Sequence, residues 1–364
     1  MYIIIDFMNI QGAECIQNEL FTEILTRFVF HLTSIHSYAT LMKKKHSEEM
    51  IMKLTFSQIK EFTTGALAVT ENERGIHFAR YTDKQVDAFT VEEEILGFRA
   101  KTTCGIRIDF HTDASGLSVE VGSLGKYEVM VNGLTAFVQR FEELDCFTIP
   151  LGSGEKRVTI VLPSHDIGSI RSIELDGATY VNSHTYARKL AFYGDSITQG
   201  WDSEKDSQSY AWLVSRYYDA DSMILGVGGA RFFPDTVENV GFHAEAVIVA
   251  LGTNDYGADL SLDKIRNNCA EYLDRIAAIY SGKKLFCITP IWRADEMSVK
   301  ASGVLSDVRE VISEEAAKRN MIIIDGVGMV PHRTEYFADE YLHPNDMGFA
   351  LYAQNLLKVL NQYL

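Results

Sequence analysis

The stretch Leu190–Gly200 constrains the fold of this chain more than any other. It begins with a short apolar run, Leu190–Tyr193, of the kind that forms a strand buried on both faces of a parallel sheet. The run stops abruptly at Gly194-Asp195-Ser196. A strand that breaks there projects a hydroxyl group from the carboxyl end of a sheet, where open α/β folds place their ligand sites. Taken alone, the tripeptide is equally compatible with a turn and a helix cap, because Asp and Ser are common capping residues.

From residue 189 onward, apolar runs alternate with amphipathic segments. The segment 261–280, for example, repeats apolar side chains at helical spacing and begins at Ser261, a suitable N-cap. Such alternation predicts an α/β domain with a doubly wound parallel sheet. The predicted elements are strands at 189–193, 222–227, 245–251, 284–290 and 321–325, and helices at 208–219, 261–280, 302–319 and 346–362.

Residues from about 65 to 182 have an all-β pattern instead. Residues 104–110 alternate between apolar and charged side chains, as a strand with one buried face does. Asn132-Gly133 predicts a type I′ hairpin turn, because both residue types tolerate positive φ. Many short strands at regular spacing are typical of a β-sandwich or jelly roll. The predicted strands are 104–110, 117–121, 126–131, 135–141, 146–151 and 157–162.

These patterns divide the 364 residues into an N-terminal segment at 1–51, a jelly-roll-like domain at 52–185 and an α/β domain at 186–364. The sequence pattern of residues 1–51 fits poorly with the pattern of the residues that follow. A helix is predicted near 17–33, and Met52 resembles a natural protein start, so we expect either an accessory segment or an upstream mis-start. The β domain is expected to be structural or to form one wall of a substrate cleft. A carbohydrate-binding role stays an alternative for this domain, although the sequence has no row of aromatic residues that requires it.

Charge and cysteine content argue against several function classes. The 34 Lys and Arg against 50 Asp and Glu give a net charge of −16, which argues against nucleic acid and anionic membranes as partners. The five cysteines are scattered and lack Cys-x-x-Cys spacing, so neither a disulfide framework nor a zinc site is expected. No cofactor or metal is predicted. A reducing, cytoplasmic compartment is expected, with neither a signal peptide nor a membrane span.

Three later stretches add polar and glycine residues where predicted strands end. Gly229 closes the run 224–229, Asn254 follows the run 247–251, and His343 lies just before the last helix. Together with Ser196 these residues resemble the SGNH (GDSL) hydrolases, whose name lists a Ser, a Gly, an Asn and a His from four sequence blocks. The resemblance covers residues 188–364, about half the chain. With the preceding jelly-roll-like domain, the chain is similar to two-domain acetyl xylan esterases and related carbohydrate deacetylases.

The resemblance implies a role for each of these residues. Ser196 is the candidate nucleophile and His343 the candidate base that takes its proton. The oxyanion donors would be the backbone N–H groups of Ser196 and Gly229 and the side-chain amide of Asn254. Glycine suits position 229 because it lets the backbone approach a substrate closely. Taken singly, Gly229 is equally explained by a tight turn and Asn254 by a helix cap.

The third member of the site departs from the family pattern. The family usually carries Asp three residues before the His. That place is occupied here by Glu340, with Asp339 one residue earlier. Glu340 is preferred as the residue that orients the imidazole, and Asp339 is the alternative. A Ser-His dyad held by a backbone carbonyl is the third alternative.

Two tryptophans stand at the predicted carboxyl edge of the sheet, Trp201 after the nucleophile loop and Trp292 after the strand 284–290. An aromatic face stacks on a sugar ring, so both are candidate substrate-binding residues, although loop packing explains them equally well. No long apolar lid segment is evident. The sequence therefore predicts a serine carboxylic ester hydrolase that deacetylates a sugar or a small oligosaccharide. The alternatives are a lipase, thioesterase or lysophospholipase-type esterase and a catalytically silent carbohydrate-binding protein.

Overall fold

Two antiparallel sheets occupy the amino-terminal part of the computed structural model, which describes residues 51–364. The predicted helix at 17–33 lies outside the described residues. The strands are β1 (Ile51–Lys53), β2 (Thr63–Thr64), β3 (Ala68–Asn72), β4 (Gly75–Ala79), β5 (Arg107–Thr112), β6 (Gly116–Val121), β7 (Gly125–Val131), β8 (Leu134–Phe141), β9 (Cys146–Pro150), β10 (Lys156–Val161), β11 (Ser169–Asp176) and β12 (Val181–Ser183). One sheet has the order β3-β4-β11-β6-β9 with β1 beside β11, and the other has the order β12-β5-β10-β7-β8 with β2 beside β5.

All six strands predicted in this part are present, with bounds shifted by at most three residues. The hairpin turn between β7 and β8 is also confirmed, since Asn132 and Gly133 have φ values of 50° and 79°. Three helices were not predicted, namely α1 (Phe56–Phe62), α2 (Asp83–Glu92) and α3 (Glu94–Lys101). The sequence did contain a signal for α2, because Thr82 and Gln85 form a capping box at its start.

A five-stranded parallel sheet follows, with the order β14-β13-β15-β16-β17. The predicted α/β class is therefore confirmed, and each predicted strand and helix of this part is present within three residues of its predicted bounds. Among residues 51–364, no helix combines the length and apolar character needed to cross a membrane. The elements are β13 (Arg188–Gly194), β14 (Ala220–Gly226), β15 (Ala246–Ala250), β16 (Lys284–Ile288), β17 (Ile322–Ile324), α4 (Ser196–Gln199), α5 (Tyr210–Tyr217), α6 (Thr253–Gly257), α7 (Leu262–Ile279), α8 (Leu305–Ala317) and α9 (Asp346–Leu360).

Side chains of β13 alternate between two apolar clusters, as the uninterrupted apolar run predicts. Leu190 and Phe192 belong to the cluster that also contains side chains of α5 and α9. Ala191 and Tyr193 belong to the cluster that contains side chains of α7 and α8. All four are at most 3% exposed. Burial on both sides holds the carboxyl end of β13, and hence the nucleophile loop that follows it, in a fixed position.

The short helix α4 lies directly on the ends of two strands. A Cβ atom on Gly226 would overlap the backbone nitrogen of Gln199 and would lie 2.7 Å from the carbonyl carbon of Thr198. A Cβ atom on Gly194 would overlap the Thr198 side chain. Neither glycine has a positive φ. Glycine is therefore required at both positions for space, because the α4 backbone at Gly226 and the Thr198 side chain at Gly194 occupy the place of a side chain.

Arg80, at the end of β4, ties the antiparallel part to this strand end. Only 1% of its surface is exposed. Its guanidinium donates to the carbonyl oxygens of Ile224 and Gly226 at 3.0 and 2.9 Å, and to those of Thr102 and Arg99 at 2.7 and 2.9 Å. Buried charges are tolerated when every donor is paired. Arg80 thus fixes α3 over the carboxyl end of β14 within the compact unit formed by residues 52–364.

We expect Gly226→Ala to destabilise the protein by about 1–3 kcal/mol, because an added methyl group must displace the backbone of α4. Gly328→Ala is the matched control, since a Cβ atom there would meet nothing within 4 Å and its φ is not positive. The measurement is the free energy of unfolding in urea for both variants. Equal stability of the two variants would contradict the close packing of α4 on β14.

Candidate active site

Ser196 and His343 meet at the carboxyl edge of the parallel sheet. The Oγ atom of Ser196 lies 2.9 Å from Nε2 of His343. Ser196 is the first residue of α4, whose N-cap Asp195 accepts a hydrogen bond from the backbone N–H of Ile197 at 2.9 Å. Ser196 is only 5% exposed, and the His343 side chain is 20% exposed. The structure therefore brings the predicted nucleophile and base together across 147 residues of sequence.

Asp339, and not Glu340, contacts the other imidazole nitrogen. Its Oδ2 lies 2.8 Å from Nδ1 of His343, while its Oδ1 accepts the backbone N–H groups of Tyr341, Leu342 and His343 at 2.9, 2.7 and 3.0 Å. Glu340 is exposed and makes no hydrogen bond to the imidazole. The preference for Glu340 was therefore wrong. The short Asp339 side chain accepts hydrogen bonds from the turn that follows it. This turn places the His343 imidazole beside the same carboxylate.

The charge state of Asp339 determines the tautomer of His343. Partial burial opposes ionisation, but the backbone N–H groups of Leu342, Tyr341 and His343 outweigh it and lower the pKa of Asp339. An ionised carboxylate can only accept, so the hydrogen of the neutral imidazole is on Nδ1. The lone pair of Nε2 is then available to accept the Ser196 hydroxyl proton.

A second carboxylate lies beside the same nitrogen. The Oδ2 atom of Asp202 is 3.4 Å from Nδ1 of His343. Asp202 has a φ of 68°, an uncommon backbone conformation for a residue other than glycine. Sequence reasoning missed this residue, although it directly follows Trp201 in the loop after the nucleophile. Asp202, Asp339 and His343 also have ligand atoms within 4.8 Å of one another, but their contacts are those of a histidine oriented by carboxylates.

The predicted oxyanion donors follow the carboxyl ends of β13, β14 and β15, which are adjacent and in register, with Gly194 opposite both Gly226 and Ala250. Gly229 has a φ of 87°, which favours glycine. Asn254 donates through Nδ2 to the carbonyl oxygen of Ala230 at 3.0 Å. This bond uses one of the two amide hydrogens and leaves the other for a ligand. It also joins α6 to residues 227–230, which follow β14 and are called the glycine loop.

Gln199 holds the glycine loop against the nucleophile helix. Its Oε1 accepts the backbone N–H of Gly228 at 2.7 Å, and its Nε2 donates to the carbonyl oxygen of Ser164 at 2.7 Å. The side chain is buried, with 1% of the residue exposed. Sequence reasoning did not single out Gln199, because none of its partners is near in sequence. Its contacts make it a positioning residue for the backbone around Gly229.

The two predicted tryptophans have different surroundings. The ring centroid of Trp201 lies 6.3 Å from that of His343, and the Arg99 guanidinium lies 4.9 Å from the centre of the indole. Arg99 also donates to the Gly228 carbonyl oxygen at 2.8 Å. Trp292 packs instead on Phe337 and His332, with centroid distances of 5.0 and 6.0 Å. Trp201 therefore flanks His343, whereas the aromatic neighbours of Trp292 lie in the segment 332–337 that precedes His343.

Two buried carboxyl groups lie next to the site. Asp195 is 2% exposed and Asp255, which accepts the backbone N–H of Phe232 at 3.2 Å, is fully buried. Desolvation raises the pKa of each to about 7. Both groups therefore bind protons in the folded protein that they release in the unfolded chain between about pH 4 and pH 7. Stability that is present at low pH is lost as the pH rises through that window.

We expect Asp255→Asn to flatten the decline in unfolding free energy between pH 4 and pH 7, because the amide does not titrate. One group contributes up to about 1.4 kcal/mol per pH unit to this slope. Asn retains an oxygen that accepts the Phe232 N–H. The measurement is urea unfolding across this pH range, with Asp263→Asn in the exposed first turn of α7 as control. An unchanged slope would show that Asp255 is already ionised in the folded protein.

Comparisons with known proteins agree with this geometry. Residues 192–351 match the GDSL-like lipase/acylhydrolase family. No curated protein matches the sequence of this chain. The fold is similar to that of the salicylyl-acyltransferase SsfX3 from a tetracycline biosynthetic pathway, with 19% identity, a TM-score of 0.72, and coverage of 82% of this chain and 94% of that one.

Two carbohydrate esterases also have a similar fold. A family two carbohydrate esterase from Cellvibrio japonicus shows 15% identity and a TM-score of 0.63, covering 86% of this chain and 97% of that one. The acetyl xylan esterase Est2A from Butyrivibrio proteoclasticus shows 16% identity and a TM-score of 0.59, covering 86% and 98%. At these identities the likeness concerns the fold. The family match contains the whole Ser196–His343–Asp339 arrangement, and this match of residues 192–351 to the GDSL-like lipase/acylhydrolase family supports an esterase.

Proposed function

We propose that this chain is a serine carboxylic ester hydrolase that removes acetyl groups from a sugar or a small oligosaccharide. The observation that carries the proposal is the continuous series of contacts from Ser196 Oγ through His343 to Asp339. Such a series supplies a nucleophile, a base that takes its proton and a carboxylate that orients the base. The neighbouring Trp201 indole offers an aromatic face for a sugar ring.

In the first half of the reaction, His343 Nε2 takes the hydroxyl proton while Ser196 Oγ attacks the ester carbonyl carbon. The negative charge moves to the carbonyl oxygen, where the N–H groups of Ser196 and Gly229 and the free amide hydrogen of Asn254 are the proposed donors. The protonated His343 then gives its proton to the departing sugar hydroxyl, which leaves an acetyl group on Ser196. Asp339 stabilises the imidazolium throughout.

In the second half, water attacks the acetyl carbonyl carbon as His343 Nε2 takes one of its protons. Collapse of the tetrahedral intermediate breaks the bond to Ser196 Oγ, which recovers the proton from His343. Acetic acid leaves and ionises to acetate in water. Nothing in this cycle needs a group beyond the ester, water and the chain's own residues.

A small acyl group is favoured by the limited space around the glycine loop. A Cβ atom at Gly229 would already approach Arg99 Nη1 and the Leu96 side chain at 3.2 Å. Both residues belong to α3, and Arg80 fixes this helix by donating a hydrogen bond to the Arg99 carbonyl oxygen. The similar folds of carbohydrate esterases, one of them solved in complex with cellohexaose, support a carbohydrate as the alcohol part of the ester.

We also propose that the two antiparallel sheets form a jelly-roll-like domain within 52–185 and that the parallel sheet of 186–364 is doubly wound. Side chains of α5 and α9 contribute to one apolar cluster of the sheet and side chains of α7 and α8 to the other, which supports the second assignment.

The proposed function is tested by comparing kcat/KM for an acetylated xylo-oligosaccharide, p-nitrophenyl acetate and p-nitrophenyl palmitate. We expect turnover of both acetyl esters and little turnover of the palmitate, because α3 restricts the space at the glycine loop. Efficient hydrolysis of the palmitate would favour the lipase-type alternative. Absence of turnover on all three esters would contradict the proposal.

Ser196→Ala should abolish ester hydrolysis while leaving the fold intact, because among residues 51–364 Ser196 supplies the hydroxyl that contacts His343 Nε2. Loss of a serine nucleophile in a hydrolase reduces kcat on the order of 10⁶. The control is Ser313→Ala in α8, whose hydroxyl donates to the Arg309 carbonyl oxygen. We expect near-normal kcat from the control. Substantial turnover by purified Ser196→Ala would remove this residue from the mechanism.

The carboxylates around His343 Nδ1 should differ in their effect on kcat/KM. Asp339→Asn should cost less than the factor of about 10⁴ seen for the same change in a serine protease triad, because Asp202 remains 3.4 Å from the nitrogen. Asp202→Asn alone should cost only a few-fold, and the double variant should approach the full loss. Glu340→Gln is the matched control with a roughly unchanged rate. If Asp339→Asn and the double variant are equally active, Asp202 does not support the histidine.

A further inference from the structure

A cavity of about 360 Å³ lies at the other end of the parallel sheet from Ser196. Its lining includes Ala220, the first residue of β14, whereas the catalytic loops follow the last residue of that strand. Six residue steps of about 3.3 Å separate the two ends by roughly 20 Å. The charged side chains that line the cavity are Arg107, Asp109, Arg157, Arg216 and Asp219, and the Trp212 indole lies among them.

Both carboxylates of this lining already have partners. Asp109 accepts from Arg157 at 2.6 Å and from the Tyr186 hydroxyl at 2.5 Å. Asp219 accepts from another nitrogen of Arg157 at 2.8 Å and contacts His184 Nε2 at 2.9 Å. Arg157 and the two carboxylates therefore form a closed network. It leaves little acceptor capacity for a cationic ligand.

Two buried donors of the lining have no partner among residues 51–364, namely Nη1 of Arg107 and Nε1 of Trp212. Arg107 is 3% exposed and Trp212 is 2% exposed. The other donors of Arg107 are used, since Nε donates to the Tyr186 hydroxyl and Nη2 to the Ala220 carbonyl oxygen. The guanidinium lies 4.8 Å from the centre of the Trp212 indole. A buried donor without an acceptor lowers the stability of the folded protein. Two such donors lie next to each other on one wall of the cavity, and this indicates that a ligand supplies their acceptor.

Charge and volume narrow the class of ligand. Three arginines face two aspartates, which leaves an excess of 3 − 2 = 1 positive charge. The third arginine, Arg216, is exposed and donates to the Gly133 carbonyl oxygen at 2.8 Å. The volume of about 360 Å³ is far larger than the roughly 30 Å³ share of one water, so it exceeds what an inorganic ion fills. Met130 and the Tyr186 ring add apolar surface to the lining.

We propose that this cavity binds a small organic carboxylate, at a site separate from the ester-hydrolysing centre. The carboxylate supplies acceptors for Arg107 and Trp212 and neutralises the excess charge, while the organic part lies against the apolar lining. Because both donor atoms are buried beneath the lining, binding requires the Arg107 and Trp212 side chains to turn toward the cavity. The inference does not depend on which ester the enzyme cleaves.

The test is isothermal titration calorimetry of the full chain with benzoate, with benzyl alcohol and with inorganic phosphate. Benzyl alcohol has the ring without the charge, and phosphate has the charge without the ring. We expect benzoate to bind with one-to-one stoichiometry and clearly more tightly than the other two probes. Equal binding of phosphate would mean a general anion site, equal binding of benzyl alcohol would mean an apolar pocket, and no binding would mean a water-filled cavity. Each of these three results overturns the proposal.

Two conservative variants locate the binding. Trp212→Phe removes the unpaired indole donor and should weaken benzoate binding by about tenfold, the scale of one hydrogen bond to a charged group. Arg216→Gln removes a positive charge at the exposed rim and should weaken it several-fold. Trp292→Phe and Arg171→Gln are the matched controls, because neither residue lines the cavity. If benzoate binds equally to all four variants, it occupies another site and the proposal fails.

Discussion

The contact between the backbone of α4 and Gly226 is the constraint on which the site depends. Because no side chain separates the nucleophile helix from the end of β14, the position of Ser196 is set by the spacing of two adjacent strands. Arg80 completes this junction, since it pairs with the carbonyl oxygen of the same glycine. A rigid backbone contact gives a more exact position than a side-chain contact, which has several rotamers.

A residue of the site could be predicted when a local sequence pattern marked it. It could not be predicted when its role depends on contacts that only the folded chain forms. Ser196 and Asn254 each follow a strand whose carboxyl end lies at the same edge of the sheet, which made their proximity predictable. His343 follows no strand of the sheet and was singled out through the family resemblance. The choice between Asp339 and Glu340 was not predictable, because it depends on a turn in which one Asp339 oxygen accepts three backbone N–H groups. The role of Arg80 could not be predicted from the sequence for a related reason. Two of its acceptors, on β14, lie 144 and 146 residues away in sequence.

The antiparallel part does more than support the sheet, because it supplies one wall of the catalytic edge. Its helix α3 places Arg99 against both the Trp201 indole and the Gly228 carbonyl oxygen. Gln199 reaches in the opposite direction, from the nucleophile helix to the carbonyl oxygen of Ser164. The glycine loop is thus held between the two parts of the chain. Its geometry requires both, so the residues that hold it could not be inferred from the pattern of either part alone.

The charge around the catalytic site complements the proposed chemistry. An acetylated sugar is neutral, so the net charge of −16 does not hinder its arrival, whereas the acetate product is an anion. Asp339 and Asp202 lie on the Nδ1 side of His343, where carboxylates favour the imidazolium of the proposed cycle. The arginine-rich cavity near Ala220 has the opposite balance. The two proposals therefore assign to one chain a site that releases a carboxylate and a separate, arginine-rich site that binds one.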